Sequence, residues 1–298
     1  MKLLLLGGNG QVGRELRRSL PVLGQVVVAT RDGVGVDLAA DFDAPVALAQ
    51  LVQRVAPEVV VNAAAYTAVD KAESEPDAAF RVNALATAAL AQACAATGAL
   101  LLHYSTDYVF DGRGTRPYRE NDPTSPLGAY GASKLAGEEM IRASGARHAI
   151  LRTAWVYAAH GSNFLRTMLK LAADRDQLRV VADQIGAPTP AAWIADTTTS
   201  ILRKGVRGSG IWHLTAAGQT SWQQFAEAIF DEAMTLGLLT RRPVVHAITT
   251  ADYPTPARRP AYSVLDTAAL QRIYGITPPA WRDALRWTLR EMASDSAG

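Results

Sequence analysis

Short apolar segments that alternate with helical patterns predict an α/β protein built on a doubly wound parallel sheet, with a smaller C-terminal α/β lobe. The strand segments of the first half are almost uniformly apolar, as strands are when helices cover both faces of a parallel sheet. The segments between them are long enough for the crossover helices that parallel strands require. A chain of 298 residues can form one such domain together with a second lobe.

In the first half, each predicted strand is followed by a predicted helix or a loop that leads into one. The predicted strands are 3–6, 26–29, 59–61, 100–104 and 148–151. The predicted helices are 11–20, 46–55, 78–97 and one that runs through 130 and 140. This alternation predicts a first domain that ends near residue 153.

The second half is less regular and predicts the smaller lobe, residues 154–298. Helices are expected at 164–173, 222–236, 266–273 and 279–292, and a strand at 243–248. The segment 253–260 carries three prolines and is expected to be an ordered or extended loop. We expect later segments, around 185–220, to cross back to the first domain.

Composition excludes several classes of protein. The formal net charge is only +2 and the basic residues are scattered, so we expect neither a nucleic-acid nor a membrane partner. No run of about eighteen apolar residues occurs, so we predict no membrane-spanning helix and expect a cytoplasmic protein. The single cysteine, Cys94, cannot form an internal disulfide, and we expect no cysteine-based metal site.

A glycine-rich turn follows the first predicted strand and opens the first helix. Gly7, Gly10 and Gly13 are spaced G-x-x-G-x-x-G. Glycines let the backbone approach a dinucleotide pyrophosphate, whose charge the helix N-terminal amides can bind. The turn therefore predicts a Rossmann-like, NAD(P)-binding first domain, and its spacing is typical of extended short-chain dehydrogenase/reductases. The alternative is an ordinary glycine-rich connection between a strand and a helix.

The residues after the second strand bear on the choice of cofactor. An acidic residue there usually binds the adenosine ribose of NAD, whereas an arginine accommodates the 2′-phosphate of NADP. This chain has Thr30 and Arg31 followed by Asp32, which favours NADPH and leaves NADH open. Alternatively, both charges are solvated loop residues.

Tyr130 and Lys134 lie four residues apart on a predicted helix, so both occupy one face. Reduction of a ketone needs hydride at carbon and a proton at oxygen. A free phenol has a pKa of about 10, and a neighbouring ammonium favours the phenolate. This pair is therefore the candidate proton donor and its partner, although a surface Tyr-Lys pair is the alternative.

A hydroxyl group, from Thr106 or Ser105, follows the strand at 100–104. Ligands bind at the carboxyl ends of strands in such sheets, so this hydroxyl could hydrogen-bond a substrate oxygen. A turn cap is the alternative. Together with the glycine turn and the Tyr-Lys pair, it predicts an NAD(P)H-dependent reductase.

Nearly the whole chain resembles the dTDP-4-dehydrorhamnose reductases. The stretches that carry this resemblance are 7–13 (GGNGQVG), 61–73 (VNAAAYTAVDKAE), 103–110 (HYSTDYVF), 130–138 (YGASKLAGE), 152–157 (RTAWVY), 183–189 (DQIGAPT) and 253–260 (YPTPARRP). The last three are specific to this family within the short-chain reductases.

The resemblance implies NADPH-dependent reduction of the 4-keto group of dTDP-4-dehydro-L-rhamnose to dTDP-L-rhamnose, for lipopolysaccharide or other surface polysaccharide. It also implies roles for named residues. Those implied to bind the cofactor, besides the residues above, are Gln11, Val12, Asp41, Phe42, Ala63, Ala64, Ala65, Tyr66, Thr67 and Tyr104. Those implied to bind the sugar nucleotide are Thr106, Asp107, Trp155, Arg258 and Arg259.

Two departures from the family and two alternative functions stay open at this stage. Thr30 and Arg31 replace the acidic residue of some members, and the acidic cluster that binds magnesium between subunits in some relatives is incomplete, so we expect no metal. A homodimer is left open. The alternatives are a non-catalytic NADP-binding regulatory subunit and a sugar-nucleotide epimerase or dehydratase. Regulatory relatives are expected to lack a catalytic side chain, whereas Tyr130, Lys134 and Thr106 are all present.

Overall fold

The computed structural model describes residues 1–296, with helices and strands alternating along the first half. The strands are β1 (Lys2–Leu6), β2 (Gln25–Thr30), β3 (Leu38–Ala39), β4 (Val59–Asn62), β5 (Leu100–Thr106), β6 (His148–Thr153), β7 (Val156–Tyr157), β8 (Gln177–Val181), β9 (Ile185–Gly186), β10 (Thr189–Pro190), β11 (Gly210–His213), β12 (Thr220–Ser221) and β13 (Val244–Ile248). The α-helices are α1 (Gln11–Ser19), α2 (Pro45–Val55), α3 (Val69–Ser74), α4 (Pro76–Phe80), α5 (Ala86–Thr97), α6 (Ala129–Ala143), α7 (Phe164–Asp174), α8 (Ala191–Lys204), α9 (Trp222–Thr235), α10 (Ala268–Tyr274) and α11 (Trp281–Ser296).

Seven parallel strands form the large sheet, in the order β11-β6-β5-β4-β1-β2-β3. The order reverses on the two sides of β1, which pairs with β2 on one side and β4 on the other. Such a reversal leaves a crevice beyond the carboxyl ends of the strands. The predicted doubly wound parallel sheet is therefore confirmed, and its five predicted strands lie within β1, β2, β4, β5 and β6.

Apolar clusters cover both faces of this sheet. One joins the strands to α2 and α5, and the other joins them to α1, α8 and α10. Leu3 and Leu5 of β1 belong to one cluster, and Leu4 and Leu6 belong to the other. This is why β1 is apolar at all four positions from Leu3 to Leu6, since alternate side chains enter opposite cores.

The sequence interpretation expected segments around 185–220 to cross back to the first domain, but it identified neither α8 nor β11, the elements that do so. Helix α8 packs against α1, and β11 pairs with β6. The helical pattern of α8 is obscured by Thr197, Thr198 and Thr199, which are all buried. Two of these hydroxyls hydrogen-bond backbone carbonyls four residues earlier, so polar side chains occupy a buried helix face.

The helix predicted at 78–97 differs from the observed one at its start and is interrupted in the middle. It begins earlier, at Pro76, and a π-helical turn, Arg81–Leu85, separates α4 from α5. The extra residue of such a turn shifts the side chains around it, and π turns are frequent at functional sites. Asn83 lies within this turn and is almost completely buried.

The second lobe surrounds a third apolar cluster between α7, α9 and α11. Its strands form two-stranded ladders: β8 with β13, β9 with β12, and β7 with β10. The predicted strand at 243–248 corresponds to β13, whereas its partner β8 was not predicted. Among the described residues, no helix combines the length and apolar character needed to cross a membrane.

A buried ion pair fastens α6 to the large sheet. The guanidinium of Arg152 on β6 donates two hydrogen bonds to the carboxylate of Glu138 on α6, at 2.9 and 2.6 Å. Their side chains are only 3% and 2% exposed. Arg152 also lies 5.0 Å from the ring centroid of Phe110. The helix that carries Tyr130 and Lys134 is thus held at a fixed place on the sheet.

Glu138→Gln is expected to destabilise the protein by about 3–5 kcal/mol, because it leaves the Arg152 charge buried without a counter-charge. Urea unfolding followed by circular dichroism would measure the change. The matched control is Asp231→Asn, which breaks the exposed pair with Arg242 and should cost at most about 1 kcal/mol. Equal effects of the two substitutions would contradict this account of α6.

Candidate active site

A cleft of about 780 Å³ opens at the carboxyl edge of the large sheet. It lies between the β1–α1 turn, the loop after β4, the end of β5, helix α6 and the segment after β6. The predicted site residues that line it are Gly7, Gly10, Gln11, Val12, Arg31, Phe42, Ala63, Ala64, Ala65, Thr67, Tyr104, Thr106, Asp107, Tyr130, Lys134 and Trp155. The predicted residues outside its lining are Gly13, Thr30, Asp41, Tyr66, Arg258 and Arg259.

The glycine turn at one end of the cleft is tightly folded. Gly7 adopts a positive φ of 79°, and a Cβ atom added to Gly13 would lie 2.0 Å from the carbonyl oxygen of Gly7. Gly13 therefore allows the first turn of α1 to pack directly against the backbone of Gly7, where no side chain would fit. Gly10 precedes α1 and supplies no side-chain cap. The first amides of α1 are consequently left for an anion in the cleft.

At the far side of this turn, Arg31 and Asp32 both line the cleft. The carboxylate of Asp32 accepts hydrogen bonds from the Val34 amide and the Thr30 hydroxyl, both at 3.1 Å. These bonds, the Val34 amide first, lower the pKa of Asp32. Thr30 thus does not line the cleft itself but holds the Asp32 side chain by a hydrogen bond. Asp41 likewise accepts the amide of Asp43 at 2.9 Å, in its own turn.

The loop after β4 presents small side chains to the cleft and turns its tyrosine away. The hydroxyl of Tyr66 donates to Glu75 at 3.1 Å, and its ring packs against the apolar core. Asn83 holds this loop: its side chain accepts the Tyr66 amide at 2.9 Å and donates to the Tyr66 carbonyl at 3.1 Å and to Ser133 at 3.0 Å. The sequence interpretation did not identify Asn83, because nothing local distinguishes it from other helical residues.

Tyr130 and Lys134 lie one turn apart on α6, and both line the cleft. The ammonium nitrogen Nζ of Lys134 donates to the carbonyl oxygen of Tyr104 at 2.6 Å and lies 3.2 Å from Nε2 of His103. Burial lowers the pKa of Lys134 to about 8. Burial also raises the pKa of Tyr130 to about 12, against a hydrogen bond with Thr106 that lowers it. The phenol is therefore protonated at neutral pH.

Polar groups without partners collect next to this pair. The hydroxyl of Thr106 donates to Oδ1 of Asp107 at 3.0 Å, and burial raises the pKa of Asp107 to about 6. Oδ2 of Asp107 and the hydroxyls of Ser105 and Thr153 are buried without a hydrogen-bond partner among the described residues. All three residues line the cleft. Buried polar atoms without partners are costly, so this end of the cleft is suited to a polar ligand.

Two stacked indole rings, those of Trp155 and Trp222, form another part of the cleft wall. Trp155 has a positive φ of 48°, which is rare for a non-glycine residue and frequent at functional sites. Its ring lies parallel to that of Trp222, with centroids 3.5 Å apart. A Cβ atom at Gly186 would lie 2.4 Å from the Trp155 ring, so only glycine fits there. Trp222 was predicted only as the start of a helix, and the structure places it in the cleft lining.

The two arginines of the 253–260 loop differ in their surroundings. The fork of Arg259 binds both carboxylate oxygens of Asp70 at the start of α3, at 3.0 and 2.8 Å. The amide of Ala257 donates to the same carboxylate at 3.2 Å. Arg259 thus ties its loop to the first domain, and the expectation that Arg258 or Arg259 binds the diphosphate stays a prediction. Arg258 is exposed.

No group of three or more His, Cys, Asp or Glu side chains among the described residues could hold a metal ion.

Comparison with known proteins identifies relatives over nearly the full chain. The family model described as RmlD substrate binding domain matches residues 1–294. A dTDP-4-dehydrorhamnose reductase of Burkholderia thailandensis is 50% identical over 303 residues, covering 99% of this chain and all of the relative.

Solved structures of similar proteins agree. A dTDP-4-dehydrorhamnose reductase of Clostridium acetobutylicum superimposes with a TM-score of 0.90 at 35% identity, covering 98% of this chain and 99% of that one. One of Bacillus anthracis, in complex with NADP, has a TM-score of 0.89 at 32% identity, covering 97% and 99%.

Proposed function

Since the chain belongs to the dTDP-4-dehydrorhamnose reductase family, we propose that its cleft reduces the 4-keto group of dTDP-4-dehydro-L-rhamnose, giving dTDP-L-rhamnose, with NADPH as reductant. The observation that carries this proposal is one continuous cleft. It begins at the glycine turn and ends where Tyr130, Lys134 and Thr106 meet beside buried polar atoms without partners.

The residues present fit an extended dinucleotide. The uncapped N-terminus of α1 suits the pyrophosphate, and the small side chains of Ala63, Ala64 and Ala65 leave room along the cleft floor. Arg31 suits a 2′-phosphate, because Asp32 beside it is engaged in its own turn. When bound, the reduced nicotinamide supplies hydride to the ketone carbon.

Tyr130 supplies the proton that the ketone oxygen needs. Its phenol is protonated at neutral pH, and it shares a hydrogen bond with Thr106. Lys134 lies one turn further along α6, with Nζ held by Tyr104. As charge develops on the substrate oxygen, the Tyr130 phenol donates to it. The Thr106 hydroxyl can also stabilise it once its single hydrogen turns from Oδ1 of Asp107 to the substrate oxygen.

The sugar nucleotide is proposed to bind between Asp107 and the Trp155–Trp222 stack. Oδ2 of Asp107 has no partner among the described residues and can accept a sugar hydroxyl. Arg258 is the arginine of the 253–260 loop that is exposed and can reach a diphosphate as a fork.

We further propose that residues 154–298 form most of this sugar-nucleotide lobe, and that the enzyme works in the cytoplasm, as a homodimer.

Tyr130→Phe is expected to lower kcat by roughly 10²–10⁴-fold, because it removes the proton donor and keeps the ring. NADPH oxidation in the presence of dTDP-4-dehydro-L-rhamnose measures the rate, and NADPH titration checks that the cofactor still binds. Tyr262→Phe, outside the cleft lining, is the control and should keep the wild-type rate. A Tyr130→Phe enzyme with more than about a tenth of that rate would refute the role.

Arg31→Ala should weaken NADPH binding more than NADH binding, because only NADPH carries a 2′-phosphate. The expected loss is about 10-fold or more in NADPH affinity, as for one charge-assisted hydrogen bond. Fluorescence titration of both cofactors measures it. Arg175→Ala, in the other lobe, is the control. Equal losses for both cofactors would rule out contact between Arg31 and the phosphate.

Arg258→Ala should raise the KM for the nucleotide sugar by roughly 10- to 150-fold while the KM for NADPH stays unchanged. Arg259→Ala and Asp70→Asn should have effects similar to each other, because both break the tie between the loop and α3. Steady-state kinetics of the three variants show which arginine binds the diphosphate. An unchanged sugar KM in Arg258→Ala, with a raised KM in Arg259→Ala alone, would assign the diphosphate to Arg259.

A further inference from the structure

A line of hydrogen bonds leads from the loop after β4 to the active-site lysine. The amide N–H of Ala64 donates to Oδ1 of Asn62 at 3.2 Å. Nδ2 of Asn62 lies 3.1 Å from Nδ1 of His103, and Nε2 of His103 lies 3.2 Å from Nζ of Lys134. Asn62, His103 and Lys134 are at most 2% exposed. The proton transfer described above assigns no part to Asn62 or His103.

The chemistry of each group fixes the direction of this line. A backbone N–H only donates, so the end of the Asn62 amide that meets Ala64 is its oxygen, and its NH₂ group faces His103. The NH₂ group also only donates, so Nδ1 of His103 accepts. Burial is the largest cause that holds the pKa of His103 well below its ordinary value, and it acts whatever the charge of Lys134. The ring is therefore neutral and carries its single proton on Nε2.

That Nε2–H group points at Nζ of Lys134. An ammonium has three N–H groups and no lone pair, so it cannot accept this hydrogen bond, whereas a neutral amine can. We propose that His103, oriented by Asn62, is a positioning residue that favours the neutral amine of Lys134 in the enzyme without cofactor. The same amine still donates to the carbonyl oxygen of Tyr104.

The other groups around Lys134 do not reverse this preference. Glu138, one turn further along α6, favours the ammonium. Its carboxylate is, however, held on both oxygens by the buried guanidinium of Arg152 on β6, which offsets its charge. Tyr130, one turn earlier, is a protonated phenol. Burial of Lys134 acts in the same direction as the His103 donor.

The proposed state has a consequence for catalysis, which rests on the reductase function proposed above. With a pKa of about 8, Lys134 carries less positive charge near neutral pH than an ordinary lysine, so it favours the phenolate of Tyr130 less strongly. The protonated phenol is the form that a ketone reductase needs at the start of its reaction. An ammonium would favour the phenolate, the form that suits the reverse oxidation.

The protonation of Lys134 can be measured directly, because the chain has only five lysines. In protein labelled with ¹³C at lysine Cε, each Cε shift follows the charge of its own amine as pH changes. The Lys134 signal is assigned by its absence from Lys134→Arg. In the wild-type enzyme without cofactor, it should titrate below the other four lysines.

Two substitutions reverse the donor. Asn62→Asp places a carboxylate that accepts both the Ala64 amide and Nδ1–H of His103, so Nε2 would offer a lone pair to an ammonium. His103→Gln allows an amide oxygen to face Lys134. We expect each to raise the Lys134 midpoint by about one pH unit. Since the new charge in Asn62→Asp also favours the ammonium, its effect should shrink in the His103→Gln background.

His213→Gln is the matched control, since His213 is buried on β11 and contacts Asp266 rather than Lys134. It should leave the Lys134 midpoint in place. An unchanged midpoint in both Asn62→Asp and His103→Gln would overturn the proposal. Because the titration uses no substrate, this outcome is independent of whether the reductase function holds. Thermal unfolding of each variant identifies any that fail to fold.

Discussion

Burial of the Lys134 side chain is the constraint on which the rest of the active site depends. A charged group taken out of water must find partners or lose its charge. Lys134 finds the carbonyl of Tyr104 and the ring of His103, both on β5. These contacts require α6 to keep a fixed position relative to the strands of the sheet. The buried ion pair between Arg152 on β6 and Glu138 on α6 holds the helix in that position. Tyr130, one turn earlier on α6, is thereby placed beside Thr106.

The cleft combines a rigid floor with buried polar groups that lack hydrogen-bond partners within residues 1–296. The floor consists of apolar strands covered on both faces, and the polar groups lie where the strands end. A substrate that hydrogen-bonds Asp107, Ser105 or Thr153 would satisfy atoms that are otherwise buried without partners. The bidentate contact between Arg259 and Asp70 joins the 253–260 loop to α3 of the first domain. The site therefore depends on both lobes.

Much of the first domain could be predicted from the sequence, because its strands carry runs of apolar residues and its glycine turn lies between a strand and a helix. Helix α8 was missed because its buried face carries threonines. Asn83 and Trp222 were missed as site residues because both are recognised only through contacts far away in the chain. The same holds for Arg259, whose partner Asp70 lies 189 residues away, so its ion pair could not be foreseen.

Net reduction of the sugar distinguishes this account from a non-catalytic subunit and from an epimerase that returns its hydride. The direct measurement is incubation with dTDP-4-dehydro-L-rhamnose and NADPH deuterated at both C4 positions of the nicotinamide, with the product analysed by mass spectrometry and NMR. The account predicts oxidation of one NADPH for each dTDP-L-rhamnose formed, with deuterium at C4 of the sugar. Recovery of the nucleotide sugar without deuterium, or without consumption of NADPH, would contradict it.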